Sequence, residues 1–415
     1  MKRIAPLLLS LSSLGTQAAP ELAGLPPTEP LRAALEAQPL TQAARQQGLA
    51  ELAAAGGLRH SPYEWTARAG TAQRSEAQGQ RWAEQELGLE RTLRWPGKAS
   101  LDTTLASSAE ALALAHWDRA WRDATLTLLQ AWFDLVREER RAQGMDAQAA
   151  LAAQQLEVVR LRVAAGDAPR LDWLQAQLEQ ERLAAEQASA ALRARLARAD
   201  WQRRYPALGT ATVALPATAP AVGDADSAVP AANATTPELA QARHEAALAQ
   251  LRARRISLDR HADPTLGLRL ARERSGEERV LGLSISWPFG GPQRDARLRG
   301  AAAEAAAAAA RLQDAEHQTA GVLQAERLQA QGLVHTHAQL ARVAQQADET
   351  AALSRRAYAA GESPLNAVLQ VQRQAREART AAELALIDAL QASARVQLRH
   401  PDLLPAPALG AAALP

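Results

Sequence analysis

From Leu114 to Val163 the apolar and small side chains of this sequence return every three or four residues. The seam runs Leu114, Trp117, Trp121, Ala124, Leu128, Ala131, Leu135, misses once at Glu138, then resumes with Ala142, Met145, Ala149, Ala152, Leu156, Val159 and Val163. Seven heptads of that spacing mark a helix that packs on other helices along its whole length. A helix over about residues 98–164 is roughly 100 Å long at ~1.5 Å per residue. Globular domains rarely hold a helix of that length. Gly166 ends this helix and Pro169 restarts one, which returns to about Arg204. That is the usual pairing of a C-terminal glycine with an N-terminal proline.

The same turn is written again 195 residues later. Residues 160–177 read RLRVAAGDAPRLDWLQAQ and residues 355–372 read RRAYAAGESPLNAVLQVQ. Aligned on Gly166 and Gly361, they share Arg160/Arg355, Ala164/Ala359, Ala165/Ala360, Pro169/Pro364, Leu174/Leu369, Gln175/Gln370 and Gln177/Gln372. A second long helix is expected over about 292–360, with its return over about 364–399. Before each long helix the period changes from 3.6 to 2. Residues 63–74 (YEWTARAGTAQR) and 83–95 (AEQELGLERTLRW) alternate, as do 265–274 (TLGLRLARER) and 279–289 (RVLGLSISWPF). The polar tracts SEAQGQ and SGEE between them suit hairpin loops. Both hairpins leave through Trp-Pro and a glycine, at Trp95–Gly97 and Trp287–Gly290.

A shorter helical segment precedes each hairpin, Leu31–Ala55 broken near Pro39, and about Pro237–Arg260. The chain thus reads as two copies of helix, hairpin, long helix, turn and helix. Repeat 1 covers 19–205 and repeat 2 covers 236–400. The Pro/Ala/Thr-rich stretch 206–235 reads as a linker, and 401–415 as a flexible tail. The expected fold class is mainly α with a small β part.

Two hairpins supply four strands of about 9–12 residues, each with an apolar and a polar face. That is the length and alternation of strands that cross an outer membrane. Four strands cannot close a barrel, and open edges are not tolerated in lipid. A barrel would therefore be shared among identical chains. The polar faces, with Glu64, Arg68, Glu84, Glu86, Glu90, Arg94, Arg269 and Glu273, would line an aqueous lumen. Trp65, Trp95, Trp287 and Phe289 suit an interfacial aromatic girdle. The competing reading is a soluble antiparallel sheet capped by the helices.

The opening MKRIAPLLLSLSSLGTQAAP has a basic start, an apolar stretch and small residues, and reads as a secretory signal over 1–18. Beyond it no 18 apolar residues run together, so a β-barrel is the available route into a membrane. The chain has no Cys, hence no disulfide and no lipobox cysteine. The formal charge of +2 falls to zero without Lys2 and Arg3, which gives no case for nucleic-acid binding. Lysine occurs only at Lys2 and Lys98, read here as a mark of genome base composition.

No phosphate loop of the form G-x-x-x-x-G-K-[ST] occurs, and no Ser sits in a nucleophile elbow. No catalytic residue, cofactor or resident metal is expected. His335 and His337 form H-x-H, but i and i+2 do not share a helix face. Both read as solvated, as do His60, His116 and His244.

The two-fold repeat, the Trp-Pro exits into long helices and the paired turn motifs resemble the TolC family of outer-membrane efflux channels, over about residues 30–400. The run His60–Trp65 is similar to the CzcC-like heavy-metal branch. The resemblance implies a homotrimer in the bacterial outer membrane, with a shared 12-stranded β-barrel and a periplasmic α-helical barrel of twelve helices. It implies a passive duct of a tripartite exporter, working with a periplasmic adaptor and an inner-membrane pump of RND or ABC type, for heavy-metal cations or small toxic compounds. The turns would then form the adaptor-docking tip and gate, with Arg160, Arg162, Gly166, Asp167, Pro169, Arg170, Asp172, Arg355, Arg356, Gly361, Glu362 and Pro364. Exposed ion pairs are worth ~0–1 kcal/mol each, so a gate would need several in a ring. Two other readings stand beside this one: a type I protein-secretion channel, and a periplasmic coiled-coil adaptor or structural protein that is not inserted.

Overall fold

The computed structural model describes residues 23–75, 77, 79–209, 215–220, 236–399 and 403–410. The expected signal segment and most of the expected linker lie outside these residues. In chain order, α1 (Thr28–Glu36) and α2 (Pro39–Gly57) precede the hairpin β1 (Thr66–Ser75) and β2 (Arg81–Thr92), followed by α3 (Lys98–Ala164) and α4 (Arg170–Arg204). The order then recurs as α5 (Pro237–Ser257), β3 (Thr265–Glu273), β4 (Glu278–Ser286), α6 (Pro292–Ala359) and α7 (Leu365–Gln397). Pro39 occupies the first turn of α2, where a missing N–H costs nothing. Thr236 caps α5 by accepting the Leu239 N–H, and Pro237 opens the helix.

The chain divides into two compact units, and each draws on both repeats. One comprises Leu35–Leu129, Gly223–Gln329 and Ala406–Pro415. It holds a four-stranded antiparallel sheet in the order β1-β2-β3-β4, with the two hairpins joined through β2 and β3. Its helical core buries Trp117, Trp121, Leu128, Leu239 and Leu248, with the two indoles 5.8 Å apart. Part of the tail expected to be flexible packs here. The Trp117 Nε1–H donates to the Pro407 carbonyl at 2.7 Å. Leu409 is buried over Gly48, where a Cβ would come within 2.9 Å of its Cδ1.

The strands are shorter at their helical ends than the alternation predicts. β1 begins at Thr66, β2 ends at Thr92 and β4 ends at Ser286. The ladder stops because its partners are taken elsewhere. The Trp95 N–H goes to the Asp263 carboxylate at 2.7 Å, and Pro96 and Pro288 have no N–H to give.

The other unit comprises the described residues within Met1–Ala34, Gln130–Val222 and Ala330–Pro405. Its core buries Phe133, Leu183, Ile387 and Leu390. Trp132 donates to the Gly24 carbonyl at 2.7 Å and packs 5.2 Å from Trp201, which donates to Gly209. Glu179 is buried between Arg373 and Arg376. Two of the expected solvated histidines are otherwise placed. His337 is buried, its Nδ1 3.2 Å from the Ala382 carbonyl. In the sheet-bearing unit, His116 Nδ1 lies 2.8 Å from the Glu51 carboxylate. The spacing rule for His335 and His337 concerned one helix surface, and His116 was read as isolated; both readings left out what packs across the helix.

Candidate functional site

The sheet has two chemically opposite faces. The register aligns Leu87, Leu270 and Leu281 in one row and Leu89, Leu268 and Leu283 in the next. With Leu266 and Ile285 these make a continuous apolar face, and every one of the eight is exposed, Leu283 to 88%. Eight exposed apolar side chains set side by side mark an interaction surface. No helix among the described residues is long and apolar enough to cross a membrane.

The opposite face is ionic. Arg68 pairs with Glu90 at 2.7 Å, Arg269 with Glu86 at 3.0 Å, and Arg74 with Glu84 at 2.6 Å and Glu273 at 3.7 Å. The Arg68 and Arg269 pairs run diagonally because both arginines stand directly opposite Gly88, and Arg74 stands opposite Trp82; Gly267 and Gly282 share this face. One row reads Arg68, Gly88, Arg269, Gly282. The Cβ atoms of Arg68 and Arg269 pass 3.6 Å and 3.7 Å from where a Cβ on Gly88 and Gly282 would stand. A Cβ on Gly267 would come within 2.5 Å of the Ser284 Oγ.

Glu64 and Arg94 fall off this face. Glu64 precedes β1. Arg94 lies beyond β2 and is turned to Asp102 on α3, 2.9 Å away, with its side chain only 14% exposed. The strands stop before these two residues, so alternation no longer dictates where they point.

The aromatics gather where the strands meet the helices. Trp95 stacks on His261 (5.5 Å, 13° between planes) and leans on Trp287 at 5.1 Å. Trp65 lies under Arg91, 5.1 Å from its guanidinium carbon. Phe289 is 93% exposed.

Beside them is a buried ionic network that the sequence reading missed. Lys98, 2% exposed, reaches Asp259 at 2.9 Å and Asp263 at 3.0 Å. Asp263 also accepts the Tyr63 hydroxyl at 2.7 Å. Arg255 links Asp259 at 2.7 Å to Asp102 at 2.5 Å, and Asp102 holds Arg94. Burial pushes the Tyr63 phenol up to about 12, with the bond to Asp263 acting in the same direction. Burial would raise the Asp263 carboxyl, but the donors from Tyr63, Trp95 and Lys98 outweigh it and hold it below its ordinary value. The available signal was the rarity of lysine: Lys98 directly follows Trp-Pro-Gly.

In the second unit the two turns are closed by the same backbone bonds. Gly166 and Gly361 take φ +82° and +80°. The Asp167 N–H bonds the Arg162 carbonyl and the Gly166 N–H that of Val163; Glu362 to Ala357 and Gly361 to Tyr358 repeat the pattern. This is the six-residue Schellman closure, which glycine makes at little steric cost. Pro169 and Pro364 stand one position before the helices they were expected to open, as the caps of α4 and α7, with ψ 151° and 153°. Val159, Ala176 and Leu365 form a buried cluster under the turns, with Trp173 and Tyr358 packed on it.

The charges at the turns do not pair with one another within one chain. Arg160 bonds Glu157 on its own helix. Arg162 caps the Tyr358 ring at 4.6 Å and donates to the Tyr358 carbonyl. Asp167, Arg170, Asp172, Arg355, Arg356 and Glu362 make no ion pair among the described residues. A groove of about 860 Å³ runs along α3, α4, α6 and α7, lined by Gln148, Arg162, Glu179, Asp348, Tyr358 and Arg379 among others.

No family model matches this sequence, and no curated protein does. Solved structures do match. The Vibrio cholerae outer membrane protein VceC gives a TM-score of 0.72 at 17% identity, over 91% of this chain and 95% of that one. The Neisseria gonorrhoeae MtrE outer membrane channel in its open state gives 0.72 at 17%, over 90% and 88%. The Campylobacter jejuni CmeC outer membrane channel gives 0.70 at 11%, over 88% and 85%. Mostly helical, with one small antiparallel sheet and duplicated turns, the chain has the fold of TolC-like outer-membrane channels.

Proposed function

We propose that this protein is the outer-membrane duct of a tripartite exporter, assembled as a homotrimer. The observation that carries the reading is the two-faced sheet. Its apolar face is exposed, its ionic face carries a glycine on every strand, and its edge strands β1 and β4 have no further strand beside them among the described residues. Three copies joined β4 to β1 would satisfy both edges, turn the leucines to lipid and enclose the charges. The helices would form the periplasmic tube, and the fold shared with outer-membrane channels supports the location.

The duct would be passive, fed by an inner-membrane pump of RND or ABC type through a periplasmic adaptor. The groove beside the turns is the surface the adaptor would use. The unpaired turn charges would meet their counterparts on neighbouring copies and narrow the opening. Cargo would be heavy-metal cations or small toxic compounds. Membrane fractionation tests the assembly: a heat-modifiable trimer in the outer membrane supports it, and a soluble periplasmic protein sinks it. Resistance profiling of a deletion strain against metals and drugs identifies the cargo.

A further inference from the structure

We infer that Arg272 and Arg279 form a site for the phosphate of a membrane-lipid headgroup on the outward face of the sheet. The inference rests on the barrel reading. The two arginines are direct cross-strand partners on β3 and β4. Like charges placed directly opposite destabilise a strand pair, so the arrangement calls for an anion. Neither makes an ion pair with any described residue, and both are exposed. Glu277 in the adjoining turn pairs with neither.

Their position specifies the anion. The register gives the row Thr71, Gln85, Arg272, Arg279, and the very next row is Ala69, Leu87, Leu270, Leu281. One step of ~7 Å along the strands thus separates a line of hydrogen-bond donors from the apolar belt. A molecule matching both needs a phosphate directly above acyl chains. Free phosphate would leave the leucines unmatched, and an acidic peptide would not cover an apolar belt. Arginine forks bind phosphate oxygens in pairs, and two forks across one strand pair can hold one phosphate between them. Such residues are tolerated at the lipid face near the interface and not at mid-depth. With the helices in the periplasm this end of the sheet is the outer one, so the occupant is a phosphorylated outer-leaflet glycolipid.

The test uses the full-length protein reconstituted into phosphatidylcholine vesicles with and without diphosphoryl lipid A, scored by native mass spectrometry of retained lipid. Wild type is expected to retain lipid A, R272Q/R279Q about tenfold less or weaker still, and R272K/R279K an intermediate amount, with all three inserting equally into neutral vesicles. Equal retention by R272Q/R279Q overturns the inference while leaving the barrel intact. Displacement of lipid A by inorganic phosphate at comparable concentration overturns the lipid assignment. Failure of wild type to insert into neutral vesicles overturns the barrel reading, and the inference with it.

Discussion

Lys98 shows what one residue can decide. Its ammonium is shared by Asp263, 7% exposed, and the more exposed Asp259. Removing one partner of a buried pair leaves an uncompensated charge, at a cost of ~3–5 kcal/mol; the exposure of Asp259 argues for the lower end. K98M is expected to destabilise the protein by about 3 kcal/mol, read as a lower dissociation temperature on unheated and heated gels. The same site predicts acid lability. Asp259 and Asp263 are both held below their ordinary value of 3.8. A depressed carboxyl contributes stability that is complete above the unfolded value and lost as pH falls through the folded one. Stability should therefore decline as pH drops below about 3.8, and this dependence should shrink in K98M, measured by denaturation across pH.

At the scale of elements, the turns at Gly166 and Gly361 are closed by identical bonds at positive φ. No side chain lies near either glycine, so alanine there meets backbone strain and no clash. G166A and G361A should each cost ~1–2 kcal/mol, with coupling in the double variant because Arg162 and Tyr358 link the two turns. Hydrogen exchange at residues 160–175 and 355–370 reads the effect, which should stay local. The hairpins were legible from alternation, yet their ends were not. Alternation reports which face is apolar; it does not report where Asp263 captures the Trp95 N–H and ends the ladder.

For the whole molecule, two predictions follow from charge. The ionic face of the strands carries Glu84, Glu86, Glu90, Glu273 and Glu278 against Arg68, Arg74 and Arg269. A lumen lined by this face should favour cations, and reversal potentials in a salt gradient across planar bilayers should show it. Replacing Glu84 and Glu273 with Gln should weaken that preference. At the turns, reversing Asp172 together with Arg162 (D172R/R162E) should raise single-channel conductance and alter resistance if inter-chain pairs hold the opening narrow. Unchanged conductance and resistance would refute the gate.

The sequence by itself determined the periods, their duplication and the glycine turns. These are local properties, written in neighbours three, four or two residues apart, and no distant contact can rewrite a φ that only glycine adopts cheaply. The tertiary structure decided what depends on residues meeting across long separations. It joined the two hairpins through β2 and β3, drew Lys98 to Asp263, turned Arg94 from the ionic face of the sheet to Asp102, buried His337 and laid Leu409 on Gly48. Each of these is settled by which distant residues pack or pair most favourably. That is a matter of packing and desolvation, to which a one-dimensional pattern carries no pointer.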